Sequence, residues 1–172
     1  LFNIIQNQTF HQIRLLDQYL NELQNTESEE TYDRILRKIV VVGTYMKRRK
    51  NLILSQKEKQ EKLTTEDLRR SLEESCDSLK LCRIKGKYFI DPEISFLEDD
   101  SILSCYDFFE WMIEELIDVI QFIFLRIAEI DGEIKVAVTV KGPENLSVLE
   151  EKRQELYVEQ ETENEWFVSI KV

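Results

Sequence analysis

His11 is the only histidine of the chain. Imidazole is the side chain best suited to taking up and passing on a proton or a phosphoryl group near neutral pH. The plainer reading of a lone histidine is an exposed side chain with no task. Glu110 and Glu114 stand four apart, as do Glu114 and Asp118. On a helix such carboxylates lie one above another and could hold Mg²⁺, or they form a solvated acidic ridge. Cys76, Cys82 and Cys105 are odd in number and lack the spacing of a zinc site or a disulfide framework, which points to a reducing compartment. No serine or cysteine stands in a motif with a base, so a catalytic triad has no support.

The charge balance narrows the partners. With 23 basic against 34 acidic residues the net charge is −11, which argues against nucleic acid, whose phosphates need a dense cationic surface. The basic run Lys47-Arg48-Arg49-Lys50 reads as a solvated helix face or as a docking patch for an acidic partner. Glycines number only four (Gly43, Gly86, Gly132, Gly142), never two within three residues. No backbone nest for a triphosphate can be assembled from them.

The elements that must position these residues fall into two parts, 1–63 and 64–172. In the first, Ile13, Leu16, Leu20 and Leu23 make a narrow helical seam. The polar cluster Gln24–Glu30 interrupts it, with Thr26 or Ser28 available as a cap. A second helix carries Tyr32, Ile35, Ile39, Val42, Met46 and Ile53 in the same rhythm, with Arg49 at one seam position, and runs to about Lys62. Leu36, Val40 and Val41 widen its stripe beyond what one partner helix can cover. An antiparallel hairpin that pairs with a second copy into a four-helix bundle is expected; packing against the chain's own second part is the alternative. On the register that places Ile13 at position a, His11 falls at f and points outward.

In the second part Thr64 and Thr65 are caps for a helix with Leu68, Leu72 and Leu79 on its buried side. Leu81–Ile84 and Tyr88–Ile90 read as a short β-hairpin turned by Gly86. A helix is expected from about Ile102 to Ile130, stopped by Asp131-Gly132. Its segment Met112–Ile130 is broken by Glu114, Glu115, Asp118, Gln121 and Arg126, so it suits a protein core rather than a bilayer. Ile134, Val136, Val138 and Val140 alternate as a strand, Asn145–Gln154 forms a short helix, and Leu156–Glu161 pairs with Trp166–Val172. The fold class is therefore α+β: a helical hairpin followed by a small α/β sandwich, with a mixed or antiparallel sheet and helices on one face. No signal peptide is expected from these residues. The first residue is leucine, so a cytoplasmic piece of a longer, membrane-anchored sensor is one expectation.

That order of parts resembles the core of bacterial sensor histidine kinases. The string His11-Gln12-Ile13-Arg14 looks like the family's phosphoacceptor motif, His-Glu-Ile/Leu-Arg. The stretch Tyr106–Glu114 is similar to the N-box of the GHKL-type ATPase domain, where Glu-x-x-x-Asn supplies a polar residue and a Mg²⁺ ligand. Ile39–Arg49 and Leu72–Cys82 also resemble kinase sequences. The resemblance implies His11 as phosphoacceptor, Glu110 and Glu114 at a degenerate and non-binding cofactor position, a homodimer, and a response-regulator receiver domain as partner.

The departures carry information. Gln12 stands where the family has an acid, and an amide is no general base. Leu15 and Leu16 replace the usual Thr/Asn-Pro, and Glu114 replaces the N-box asparagine. After the strand Ile134–Val140 the family places two glycine-rich boxes; here the chain runs Lys141-Gly142-Pro143-Glu144-Asn145-Leu146 and on to the last hairpin. Three readings follow. The chain is a degenerate kinase core, a histidine phosphotransferase or pseudokinase without its own ATP site, taking Mg²⁺ from its partner; or an active kinase with atypical nucleotide loops; or a non-catalytic dimeric scaffold.

Overall fold

The computed structural model describes residues 9–58, 62–94, 97–142, 145–146 and 148–171. The chain divides into two compact units between Lys62 and Leu63. The architecture is α+β, a helical unit followed by a unit built on a mixed five-stranded sheet. None of the described helices is long and apolar enough to cross a membrane.

The first unit holds α1 (Phe10–Asn25) and α2 (Glu29–Glu58). Thr26–Ser28 turn the chain between them. Ser28 supplies the cap: its Oγ accepts from Thr31 N at 3.3 Å, and Glu29 and Glu30 in the first turn complement the helix dipole. Tyr19, Ile35 and Val42 form the buried centre, with Leu15, Leu16, Leu23, Ile39 and Met46 against it. The Lys38 ammonium lies 5.5 Å from the centre of the Tyr19 ring, a cation–π contact bridging the helices.

This contact shifts the expected seam. Gln12 and Tyr19 face inward, while Ile13 and Leu20 are 37% and 48% exposed. The phenol ring buries more surface than a leucine and keeps a polar tip for the neighbouring cation, so it takes the interface. Arg49 is buried at 5% exposure, so the basic run is no uniformly solvated face; only Lys47 and Lys50 are exposed. Beyond Glu58 the expected end of the helix falls partly on 59–61, outside the described residues.

The second unit opens with α3 (Thr65–Leu79). Thr64 caps it in a reciprocal box with Asp67, the Asp67 N–H donating to Thr64 Oγ1 at 3.2 Å and Thr64 N to Asp67 Oδ2 at 2.9 Å. Its buried side carries Leu68, Leu72 and Leu79. A 3₁₀ turn, Lys80–Cys82, ends at Arg83 in the left-handed region (φ 61°). Then come β1 (Lys85–Ile90), α4 (Asp99–Leu116), β2 (Phe122–Ile130), β3 (Glu133–Lys141), α5 (Val148–Lys152), β4 (Tyr157–Thr162) and β5 (Glu165–Lys171). The strand order is β1-β2-β3-β5-β4; β1 and β2 are parallel and the other pairs antiparallel.

Two expectations are corrected. The hairpin at 81–90 is a single strand: the turn is made at Arg83, and Gly86 lies inside β1 because α3 passes directly over it. A Cβ on Gly86 would meet Cys76 Sγ at 3.0 Å. The long helix Ile102–Ile130 is α4, a turn, and then β2. The run Phe122–Ile127 is rich in β-branched and aromatic residues: Ile123, Leu125 and Ile127 are buried on one face, and the half-buried Phe122 and Phe124 stand with the exposed Arg126 on the other. Such a run hides the period of two that marks a half-exposed strand. Asp131-Gly132 is accordingly no helix stop but the two-residue turn between β2 and β3, both residues at positive φ (56° and 77°).

Gly142 ties the unit together. Its φ is 128°, and a Cβ there would stand 2.4 Å from Val119 O. Around it Gln121 N donates to Lys141 O (2.8 Å), Lys85 N to Gln121 O (3.0 Å) and Gly142 N to Asn164 O (3.0 Å). The start of β1, the start of β2, the end of β3 and the β4–β5 turn thus share one hydrogen-bonded node. Gly142→Ala is expected to lower unfolding free energy by about 3 kcal/mol in denaturant titration. Gly43→Ala, in α2 with open space around it, should instead raise it by roughly 0.5–1 kcal/mol.

Candidate functional site

His11 is the second residue of α1 and is exposed. At roughly 100° per residue, the inward face of α1 runs through Gln12, Leu16, Tyr19 and Leu23. Ile13 and Leu20 stand on one flank of that face, and His11, Gln18 and Glu22 on the other. On α2 the exposed apolar residues Tyr32, Leu36 and Val40 are rotated from the interface in the same sense as Ile13 and Leu20. In antiparallel helices, flanks rotated in the same sense fall on the same side of the pair. The hairpin therefore carries an uncovered apolar side and, opposite to it, the side bearing His11.

Around His11 the surface is polar. His11, Arg14, Gln18, Asn21, Glu22 and Asn25 line a shallow groove of about 760 Å³ along α1. Gln18 Nε2 donates to Glu22 Oε1 at 2.9 Å and Asn25 Nδ2 to Asn21 O at 2.7 Å, which fixes this strip. Helical side chains lean toward the N-terminus, where the dipole favours negative charge. A phosphoryl group on the imidazole would sit at that end. Gln12 is buried, so its amide serves the hairpin contact rather than the histidine's surface.

Glu110 and Glu114 lie on α4 and are not a solvated ridge. Glu110 is 1% exposed, among the buried Tyr106, Phe109, Met112 and Ile113 of its own helix, and neither carboxylate oxygen has a hydrogen-bond partner. Burial, then the charges of Glu114 and Asp107, pushes its carboxyl well above the ordinary range. Among the described residues no group of three or more His, Cys, Asp or Glu side chains is arranged to hold a metal ion.

The chain after β3 occupies the place in the sequence where the family it resembles carries its glycine-rich boxes. Leu146 and Leu149 are buried there. From the end of α5, Lys152 Nζ pairs with Glu115 on α4, and the Arg153 guanidinium lies 4.7 Å from the centre of the Trp111 ring. Trp111 in turn stacks on Phe108 at 6.2 Å. This strap is fastened to α4 by contacts about forty positions apart in sequence, which no local pattern announces. The four glycines are placed separately: Gly43 is helical, Gly86 lies under Cys76, Gly132 turns a hairpin and Gly142 makes the close approach to Val119.

No family model and no curated protein sequence matches the chain. Among solved structures it is similar to a bacterial phosphotransferase, with 12% identity, 98% of this chain and 92% of that chain covered, and a TM-score of 0.47. It is similar also to the histidine kinase AdeS of Acinetobacter baumannii, with 10% identity, 93% and 94% covered, and a TM-score of 0.46. A third is the histidine kinase ThkA in complex with the response regulator TrrA, with 12% identity, 99% of this chain and 60% of that chain covered, and a TM-score of 0.45.

The buried carboxyl makes a pH-dependent prediction. A carboxylate whose folded pKa is raised contributes stability that is fully present below its unfolded value, near 4.5, and lost as pH rises toward the folded value. Glu110→Gln should therefore have a higher denaturation midpoint than wild type at pH 8. The gap should close as the pH falls toward about 4, measured by denaturant titration across that range.

Proposed function

We propose that the chain is a degenerate histidine-kinase core of two-component signalling that relays a phosphoryl group through His11 instead of forming it from ATP. The observation that carries this is the placing of His11: the sole histidine stands exposed at the first turn of α1, on the side of the hairpin opposite its uncovered apolar side. In transfer, an imidazole nitrogen of His11 attacks the phosphorus of a receiver domain's aspartyl phosphate. The P–N bond forms as the P–O bond to the aspartate breaks, and the reverse step hands the group to a second receiver. Mg²⁺ and the carboxylate come from the receiver, so this chain needs neither a nucleotide nor a metal site.

The kinase-like order of parts supports the family reading, together with a phosphoacceptor-like string at His11–Arg14. The strap on α4 and the buried Glu110 support the loss of the ATP site. Tyr32, Leu36 and Val40, beside Ile13 and Leu20, form the face on which a second copy would complete a four-helix bundle. A scaffold role is favoured by one feature, the inward amide Gln12 where the family has an acid.

Incubation with a radiolabelled phospho-receiver should label wild type and leave His11→Ala unlabelled; label on neither supports the scaffold. In sedimentation experiments, Leu20→Glu combined with Val40→Glu should convert a dimer to a folded monomer, since both positions are about half exposed in the single chain and charged side chains are excluded from a bundle core.

A further inference from the structure

Strand alternation gives the sheet a second face, turned away from α3. On it the paired row Arg126–Ala137–Ser169–Tyr157 crosses four strands, with small side chains at its centre between a cation and an aromatic ring. Phe167 meets Tyr157 edge to face at 6.4 Å. One row along, Lys135 pairs with Ala128, which makes Arg126 and Lys135 diagonal neighbours at about 7 Å. The result is a groove of about 550 Å³, floored by Ala128 and Ala137, walled by the two rings and rimmed by the two cations.

The charges identify what would fill it. Lys171 on this face is already held by Glu133 at 2.5 Å, and Glu155 at the groove's end by Arg153 at 3.8 Å. Arg126 and Lys135 form no close ion pair among the described residues, Glu133 acting on Lys135 only at longer range while it pairs with Lys171, and Glu159, opposite Phe167 on the same face, accepts from the Tyr157 hydroxyl at 2.9 Å. Lys85 and Lys87 on β1, also exposed, add to the same field. This is a cationic island on a chain of net charge −11, so its complement is an anion. Two copies meeting face to face would oppose like charges, and a polyanion would meet the acidic remainder of the surface. The volume is that of a small-molecule site, with an apolar body and few polar anchors.

We propose that this groove binds a small amphipathic carboxylate from free solution, its apolar body over Ala128 and Ala137 against Tyr157 and Phe167, its carboxylate between Arg126 and Lys135. The proposal is independent of phosphotransfer at His11.

Calorimetric titration of the full chain with decanoate, decanol and decyltrimethylammonium, all below their micelle concentrations, tests it. Decanoate should bind saturably, decanol about tenfold more weakly, and the ammonium not at all. Arg126→Gln with Lys135→Gln should weaken decanoate by about tenfold or more. Ala137→Leu, at a half-buried position that tolerates bulk, should abolish binding by filling the groove, with thermal unfolding showing both variants folded. Equal affinity for all three amphiphiles would overturn the proposal. So would binding unchanged in both variants, or decanoate heats seen only above the micelle concentration. Retention on anionic vesicles without binding of free decanoate would point to a membrane surface and would overturn it as well.

Discussion

The close approach of Gly142 to the backbone of Val119–Gln121 is the contact on which the second unit depends. A backbone carbonyl 2.4 Å from where a Cβ would be leaves room for glycine alone, and φ of 128° reinforces the choice. This contact fixes where β3 ends relative to the start of β2, and hence the register of the three strands that share the node. It also sets how the chain can continue. Between Lys141 and Tyr157 stand one short helix and its strap, in which Leu146 and Leu149 are buried and Lys152 and Arg153 reach α4. Gly142, the one glycine after β3, is thus committed to packing.

The hairpin separates its tasks by side. Tyr19, bridged to Lys38 and packed on Ile35 and Val42, holds α1 against α2 with a single layer of contacts. That economy leaves Ile13, Leu20, Tyr32, Leu36 and Val40 unused within one chain, and it leaves His11 on the far side. A surface that can be covered by a second copy without covering the histidine follows from helical periodicity alone.

Much of this was legible in the residues. The hairpin, the Thr64 cap, the strand at Ile134–Val140 and the last β-hairpin follow from local period and capping chemistry, because each is specified by neighbours in sequence. The errors share one cause. Phe122–Ile127 looks helical because Phe122 and Phe124 put apolar side chains on its more open face as well as the buried one, and Gly86 looks like a turn because nothing local reveals Cys76 above it. Glu110 looks solvated because its burial comes from an apolar helix placed in a core. Tyr19 and Gln12 do not read as seam residues because their polar atoms mask the surface they bury. In each case the deciding contact comes from elsewhere in the chain. The open sheet face is hidden for the same reason, since Arg126 stands in the run whose local pattern reads as helix.

The proposed relay requires a histidine that receives a phosphoryl group and a second unit that does not supply one. Labelling the same preparation side by side, from γ-labelled ATP with Mg²⁺ and from a phosphorylated receiver domain, separates the two sources. The account predicts acid-labile, base-stable label from the receiver and none from ATP. Label on His11 from ATP, saturating with nucleotide, would contradict it.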